Sequence, residues 1–371
     1  MILSLSEEQR ELALGVRRFL AETSPPGEVR RAMETEAGYD ASLWKRMAEE
    51  LGLQSVAIPE ERGGQGLGLA EVALVAREMG RALVCAPYLS TVALAGSVVA
   101  GAADAPLRAE LEGAIASGEV LALATPADRA ETPLRARRAS DGWRIDGLAP
   151  HVVDGHVAAR VVAIARVEAA GAEDALGAFV VDAAARGLER RLRRTFDRTR
   201  RIASLAFDGV AATPLATPGA DGPALERALD VATSILAAEM LGGSEHVLEA
   251  SVAWARERRQ FGRAIGSFQA VKHKAADVWI ALEASRSLVD RAVECAALDE
   301  PGLALDASAA KAFLSEAYPH AARENVQIHG GIGFTWEHDA HLYLRRATST
   351  ATLLGDARWH RARVAALALA R

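Results

Sequence analysis

The sequence is poor in cysteine, which restricts both its covalent framework and its compartment. Its 371 residues include two cysteines, Cys85 and Cys295, which lie far apart along the chain. Two distant thiols form neither the disulfide framework of a small secreted protein nor the ligand set of a structural zinc site. We therefore expect no metal site and a reducing, cytoplasmic location.

The sequence also has no long apolar run and no excess of basic residues, and we expect no cleavable leader. No stretch approaches the roughly 20 apolar residues that span a bilayer. The first residues, MILSLSEEQRELALG, have no basic segment followed by an apolar one. The formal net charge is −6, from 43 Lys and Arg against 49 Asp and Glu. Since a phosphate-binding surface needs a basic excess, we expect neither nucleic acid nor a membrane as a partner.

The length predicts two or three domains, because a single hydrophobic core rarely grows to this size. Residues 1–118 carry helical patterns, beginning with Ser6 and Gln9 at the spacing of a capping box. Residues 119–212 change to short β-type runs divided by Gly, Asp and Pro. Residues 222–371 carry long apolar stripes at spacings of three and four. We predict an α+β, mostly α fold, with an N-terminal helical domain, a small middle antiparallel β domain (sheet or barrel) and a C-terminal four-helix bundle.

The periodicity of the C-terminal zone predicts its helices individually. One long helix covers the stripe from Leu225 to Trp254, a second starts near Ser267, and a third spans about 304–329. Pro319 lies inside the third helix and should kink it, since proline removes a backbone donor. A fourth helix is expected in the tail, and long helices with short connections pack as an antiparallel bundle.

Four segments carry motifs. Residues 257–278 read ERRQFGRAIGSFQAVKHKAADV and residues 327–347 read QIHGGIGFTWEHDAHLYLRRA. Residues 58–68 (IPEERGGQGLG) and 196–210 (FDRTRRIASLAFDGV) are less distinctive. In their order along the chain, the four segments resemble segments of the acyl-CoA dehydrogenase family, which reads R-x-[QT]-F-G … F-Q and Q-x-x-G-G-x-G-[FY] … R-x-A in the two main motifs. The resemblance covers nearly the whole chain.

The resemblance implies a FAD-dependent oxidoreductase that desaturates the α and β carbons of an acyl-CoA thioester in lipid catabolism. It also implies a homo- or hetero-oligomer, a dimer of dimers, and an electron-transfer flavoprotein as acceptor. In the family, residues of the two main motifs reach the flavin of a neighbouring subunit. The residues at matching positions, and therefore implied to bind the cofactor, are Arg258, Gln260, Phe261, Gln269, Gln327, Gly330 and Gly331.

The chemistry of these side chains fits a flavin dinucleotide. Arg258 offers a guanidinium fork that matches a pyrophosphate, and Phe261 offers a flat apolar face. The glutamines can donate to and accept from ribose or ring atoms, and the glycines remove side chains where the dinucleotide would cross a helix end. Other interpretations stay open on the residues alone. Arg258 is flanked by Arg256 and Arg259 and can be a solvated surface charge, and Gly330 can be a helix C-cap.

The residue that the family uses as catalytic base is missing. The reaction needs a carboxylate that takes the α-proton while the β-hydrogen leaves as hydride. The family's tail pattern, R-x-A … E-G-T, counted from residues 345–347, places Leu354 at the glutamate position. Other members carry the glutamate on the long helix before R-x-Q-F-G, where this chain has Ala232. We therefore assign no catalytic residue.

Two acids lie near these positions. Glu239 is two turns beyond Ala232, roughly 10 Å along the axis at ~1.5 Å per residue, which is too far for the same proton. Asp356 lies close to Leu354 and could act as a base if its loop moved. Helix capping or a contact to the flavin ribose is the other interpretation of Asp356.

The middle domain departs from the family as well. Residues 124–133 (ATPADRAETP) and 150–156 (PHVVDGH) stand where the family has a T-E-P-x-x-G-S-D-like loop and a W-[IV]-[ST] strand. Thr125 and Pro126 are kept, but the rest of the loop pattern and the tryptophan are absent. The contacts to the flavin ring within this subunit are therefore expected to be weakened.

Two clusters have competing interpretations. His338 and His341 stand beside acidic residues, but without a third ligand nearby we interpret them as surface or packing residues rather than a metal site. The arginines between 190 and 201 can attract the phosphates of coenzyme A or simply be solvated.

Three functions stay open on this basis. The chain is a working acyl-CoA dehydrogenase with an unorthodox base, or it is the non-catalytic partner in a heteromeric acyl-CoA dehydrogenase. In the second case it lends Arg258, Phe261 and the turn at 327–331 to a flavin whose ring and base belong to another chain. The third function is a flavin oxidase or monooxygenase on the same fold, in which the base is not a glutamate.

Overall fold

The computed structural model describes residues 5–125, 134–168, 175–220 and 222–370. Helices form both ends of the chain and strands form its middle, which confirms the α+β, mostly α fold class. The α-helices are α1 (Glu7–Thr23), α2 (Pro26–Ala32), α3 (Ala41–Glu49), α4 (Leu69–Ala82), α5 (Gly96–Ala100), α6 (Ala105–Ala116), α7 (Gly222–Glu257), α8 (Gln269–Ala297), α9 (Leu303–His329), α10 (Ala340–Thr352) and α11 (Ala357–Leu369). The strands are β1 (Leu121–Ala124), β2 (Arg135–Ala139), β3 (Gly142–Val153), β4 (Arg160–Glu168), β5 (Leu176–Asp182), β6 (Leu188–Leu192), β7 (Ile202–Pro214), β8 (Arg259–Gln260) and β9 (Arg263–Ala264).

By packing, the chain divides into two units built from segments that are distant in sequence. The helical unit contains Met1–Arg31, Ala73–Val84 and Thr233–Arg371, and the mixed unit contains Ala32–Val72 and Cys85–Ala232. The three predicted domains follow chain order instead, and their boundaries stay a prediction.

The sheet of the mixed unit closes on itself. Its strands follow the order β1-β4-β2-β3-β7-β5, with β6 beside β7. An additional pairing of β5 with β4 closes β4, β2, β3, β7 and β5 into a small barrel, and β1 pairs with β4 alone. Most pairings are antiparallel, as predicted, but β1–β4 and β2–β4 are parallel. The sequence does not predict β2 (RARRA) or β6 (LERRL), because charged side chains hide the alternation of a strand there.

The helical unit follows the predicted periodicity. Ser6 and Gln9 form both bonds of the capping box at the start of α1. Helices α7, α8 and α9 appear where the apolar stripes predict them, and α9 packs against α8, α10 and α11. α9 continues as one helix through the buried Pro319. The tail forms two helices, α10 and α11, rather than the one expected. Within the described ranges, no helix combines the length and apolar composition that crossing a membrane requires.

Candidate functional site

A tight hairpin presents Phe261 at the surface of the helical unit. β8 and β9 pair across a two-residue turn, Phe261-Gly262, in which both residues have positive φ (53° and 77°). Such a turn suits glycine or asparagine, and a phenylalanine there is strained. The Phe261 side chain is nevertheless 91% exposed. A strained, exposed aromatic contributes nothing to the core of its own chain, so the turn fits a contact with a ligand or another chain.

Arg258 lies just beyond the end of α7, with its guanidinium free for a ligand. Its backbone N–H donates to the carbonyl of Trp254, which extends α7 by one residue. The exposed guanidinium sits over the indole ring of Trp254, 6.0 Å from its centroid. No carboxylate pairs with Arg258 in the part of the chain that the structure describes. A cation held by a ring rather than by an acid is available to an anion.

The double glycine lies at the end of α9. Gly330 is the C-cap with φ 68° and ψ −145°, a conformation that favours glycine, so the helix-cap interpretation is correct at this position. Gly331 has no such conformational reason. A Cβ atom at either glycine would meet nothing within 4 Å, which leaves open space outside the turn. The space and the missing side chain at Gly331 fit the close approach of a ligand.

The structure brings the two motif segments together. The indole of Trp254, on the last turns of α7, stacks on the imidazole of His329 at the end of α9, with ring centroids 5.0 Å apart. The Arg258 guanidinium lies over the Trp254 indole, and Gly330 directly follows His329 in the chain. All seven residues named for the cofactor are solvent-exposed in this chain: Arg258, Gln260, Phe261, Gln269, Gln327, Gly330 and Gly331. Their assignment to FAD stays a prediction.

The sequence interpretation missed Trp254, His329 and His338 as parts of this site. Trp254 looked like one more apolar residue on the stripe of a long helix. In the structure the His329 and His338 rings lie 4.3 Å apart, and Trp254 contacts both. The clue in the sequence was a tryptophan four residues before Arg258, combined with a histidine directly before Gly330.

The histidines of the following loop pack against aromatic rings. His341 meets Trp336 edge to face at 4.5 Å, and burial, with Arg345 and Arg30 nearby, lowers its pKa to about 4. Across the described ranges, no group of three or more His, Cys, Asp or Glu side chains is placed to hold a metal ion. His341 therefore packs against an aromatic ring in this structure.

The two positions expected to hold the base are apolar and buried. Leu354 is 1% exposed and follows α10 with φ 59°, a left-handed conformation unusual for leucine. Ala232, on α7, is fully buried. Neither side chain can accept a proton, so neither position can supply a base.

The two neighbouring acids are bound to other groups. The carboxylate of Glu239 is buried and pairs with the guanidinium of Arg346 at 3.0 Å. Asp356 accepts a hydrogen bond from the backbone N–H of Trp359 at 2.8 Å as the N-cap of α11. The capping interpretation of Asp356 is confirmed, and Glu239 is held by a cation that stabilises its charged form.

A buried lysine fixes the turn that contains Leu354. Lys311, on α9, donates from Nζ to the carbonyl oxygens of Ala351 (3.0 Å) and Gly355 (2.9 Å), on either side of Leu354. The Nε2 atom of His360 lies 3.0 Å from the carbonyl of Leu354 itself. The turn thus keeps a defined shape even though it lacks a carboxylate.

In the mixed unit, several residues of the predicted flavin and coenzyme A segments make contacts within the chain. In the segment 150–156, His156 bonds through Nε2 to the carbonyl oxygens of Glu36 (3.1 Å) and Ala37 (3.2 Å). Residues 126–133 of the predicted flavin loop lie outside the described residues. Among the arginines between 190 and 201, Arg198 pairs with Glu34 and Arg190 donates to the carbonyl of Ala158, so part of this charge is structural.

Comparison with known proteins gives the class of protein. Models of the acyl-CoA dehydrogenase N-terminal and C-terminal domains match residues 6–119 and 223–369. The chain therefore belongs to the acyl-CoA dehydrogenase family, which is FAD-dependent and acts on acyl-CoA thioesters.

Two mycobacterial acyl-CoA dehydrogenases are similar to nearly the whole of this chain. Acyl-CoA dehydrogenase IpdE2 of Mycobacterium tuberculosis is 35% identical over 95% of this chain and 94% of the relative. Acyl-CoA dehydrogenase FadE34 of the same organism is 34% identical over 99% of this chain but only 49% of the relative.

Solved structures match over the full length. The ChsE4-ChsE5 complex from Mycobacterium tuberculosis aligns with a TM-score of 0.91 and 27% identity, covering 100% of both chains. A variant of the Tcur3481-Tcur3483 steroid ACAD aligns with a TM-score of 0.90 and 30% identity, covering 99% of both chains.

The residues of this chain fit the family's cofactor. The flavin dinucleotide needs a cation for its pyrophosphate and space near the backbone, and Arg258 with the open turn at 330–331 offers both. The fit concerns the dinucleotide part of the cofactor, and the weakened contacts to the ring stay a prediction.

Proposed function

We propose that the chain serves FAD-linked α,β-dehydrogenation of an acyl-CoA thioester as the non-catalytic subunit of a heteromeric acyl-CoA dehydrogenase. It lends Arg258, Phe261 and the turn at 327–331 to a flavin whose ring and base belong to a partner chain. The flavin supplies the hydride acceptor when bound. The observation that carries the proposal is that both base positions, Leu354 and Ala232, are buried and apolar.

The acids near those positions support the proposal. A general base must reach the substrate in a state that accepts a proton. Glu239 is in a buried ion pair with Arg346, and Asp356 caps α11. Using either as a base would break a contact that stabilises the fold. Among the described residues, those proposed to serve a dinucleotide are exposed, while the two positions expected to hold the base carry no acid, which is the division of labour expected of a partner subunit.

The exposed apolar residues around the dinucleotide segments support an assembly with another chain. Phe334 is 78% exposed and Trp336 is 50% exposed, close in sequence to Gly331. Phe261 is more exposed than either. Large apolar side chains grouped at a surface mark an interaction site. We propose a dimer of dimers with a homologous chain that carries the base, located in the cytoplasm, with an electron-transfer flavoprotein as acceptor.

Purification of the chain alone and with its partner tests the proposal. A homologous chain encoded nearby that keeps the glutamate is the partner to co-express. We expect little flavin on the chain alone, full flavin on the complex, and bleaching by acyl-CoA only with the complex. Sterol-derived acyl-CoA thioesters are the first substrates to try, because one structural relative is a steroid ACAD.

Other results identify the other functions. Full flavin that acyl-CoA bleaches in the chain alone contradicts the proposal and favours a self-sufficient dehydrogenase with an unorthodox base. Flavin reduced by a nicotinamide but by no acyl-CoA favours an oxidase or monooxygenase.

Arg258→Ala is expected to weaken FAD binding by the complex about 10- to 100-fold, because a charge-assisted hydrogen bond to phosphate is lost. Equilibrium dialysis with FAD measures the change. Arg256→Ala removes an exposed arginine two residues away and should change affinity by less than about threefold. Equal effects of the two substitutions would indicate general surface charge and remove Arg258 from the site.

A further inference from the structure

The indole N–H of Trp254 is a buried donor that has no acceptor. Its Nε1 atom is shielded from solvent and forms no hydrogen bond with any residue that the structure describes. Tryptophan N–H groups normally find a partner when they are buried, and an unpaired one is unfavourable. Such a donor in a native structure indicates a missing acceptor.

The surroundings of Trp254 do not provide that acceptor. The Nδ1 atom of His329 already bonds to the carbonyl of Asn325 at 2.8 Å, and the His329 ring presents its face to the indole. The Nδ1 atom of His338 accepts from the backbone N–H of Ala340 at 3.1 Å. The neighbouring rings therefore hold the indole in place without satisfying its N–H group.

The position of the indole points to the nature of the missing group. The ring stacks on the His329 imidazole, and the Arg258 guanidinium, which has no acidic partner in the described part of the chain, lies over the same ring. Helices α7 and α9 both end here, and their carboxyl ends carry partial negative charge. An anion can bind at such a place only if donors offset that charge, and Arg258 and Trp254 are two donors close together.

We propose that Trp254 donates its indole N–H to an oxygen of the ADP half of the flavin dinucleotide, beside the Arg258 guanidinium. The inference rests on the proposed function, because it assigns a further binding residue to the same site. Arg258 supplies charge and Trp254 supplies a hydrogen-bond donor. Because the Nε1 atom is shielded from solvent in the free chain, a neighbouring side chain must move aside before a ligand oxygen reaches it.

The test uses ADP as the probe, so that the readout does not depend on catalysis. Calorimetry with the purified complex compares the wild-type chain with Trp254→Phe, which keeps an aromatic ring on His329 but removes the donor. We expect about tenfold to a hundredfold weaker ADP binding. Trp359→Phe, on α11, is the matched control and should bind ADP like the wild type.

A second measurement uses the unmodified chain, in case the variant folds poorly. The chain has six tryptophans, and ¹⁵N-labelled indole groups give one N–H signal each. We expect the Trp254 indole signal, assigned by its through-space contacts with the His329 ring, to shift when ADP is added. An unmoved Trp254 signal at saturating ADP would falsify the inference.

The outcomes separate this inference from the proposed function. If Trp254→Phe binds ADP normally while Arg258→Ala does not, the inference is overturned and the flavin site stands. If neither substitution changes ADP or FAD binding, the flavin site itself is overturned and the inference falls with it.

Discussion

Gly242→Ala is expected to destabilise the helical unit by more than about 3 kcal/mol, the range of severe core overpacking. A Cβ atom built at Gly242, on α7, would lie 1.8 Å from the carbonyl oxygen of Arg77, on α4. Gly80 on α4 is in the reciprocal position, because its Cβ would lie 2.0 Å from the carbonyl oxygen of Glu239. The two helices thus cross with their backbones in contact, and an added methyl group must push them apart.

The surrounding contacts prevent an easy adjustment. The Arg77 guanidinium pairs with Glu245, and Arg286 on α8 pairs with the same carboxylate at 2.8 Å. Separating α4 from α7 would break this buried arrangement and the packing around it. A backbone atom cannot rotate away as a side chain can, so the strain must spread along both helices.

Urea unfolding of the variant and the wild type measures the effect. Gly15→Ala is the control, since Gly15 lies within α1 and its Cβ would meet nothing within 4 Å. Alanine there should stabilise the helix by up to about 1 kcal/mol. A Gly242→Ala variant as stable as the wild type would show that α4 and α7 are not in backbone contact.

The fold was largely predictable because long amphipathic helices leave a periodic record in the sequence. α7, α8 and α9 appear where their stripes predict them, and five of the strands coincide with β-type runs. β2 and β6 could not be predicted because their arginines hide the alternation of apolar and polar residues. The parallel pairings could not be predicted because strand order depends on tertiary structure. The crossing of α4 and α7 at Gly242 could not be predicted either. A glycine inside a helix can simply weaken the helix, or it can allow another helix to approach closely.

The part of the candidate site that depends on residue identity alone could be proposed from the sequence and stays a prediction. The expected loss of the base needs only the observation that Leu354 and Ala232 are not acids, and the structure adds that both are buried. The roles of Glu239, Lys311 and Trp254 could not be predicted. Each depends on a partner at least 40 residues away or on a missing partner.

The stability of the helical unit is expected to rise between pH 7 and 8.5 because of Lys311. This side chain is fully buried, and burial lowers its pKa to about 7, with Asp356 opposing the shift. In the unfolded chain a lysine titrates near pH 10.4. Between these values the unfolded state binds more protons than the folded state, so raising the pH favours folding. The expected gain is about 1.5 kcal/mol over this interval.

The interval is chosen because other groups oppose the trend at higher pH. Burial raises the pKa of the Cys295 thiol to about 12, above its usual value. The folded state therefore keeps that proton longer, and stability is lost as the pH rises above about 9. Urea unfolding at pH 7 and at pH 8.5, with the wild type and Lys311→Met, isolates the lysine. The variant should lose the rise, and an equal rise in both proteins would exclude Lys311 as its source.

The neutral amine of Lys311 has as many hydrogen-bonding sites as it has partners, and it leaves no uncompensated charge in the buried site. A neutral amine has two N–H donors and one lone pair, and its partners are two carbonyl oxygens and the hydroxyl of Ser315 at 2.9 Å, which can donate in return. Lys311→Met leaves the carbonyls of Ala351 and Gly355 without this donor. Hydrogen exchange should then quicken at the amides of residues 353–356 first, and unchanged exchange there would mean that the turn around Leu354 holds its shape without the lysine.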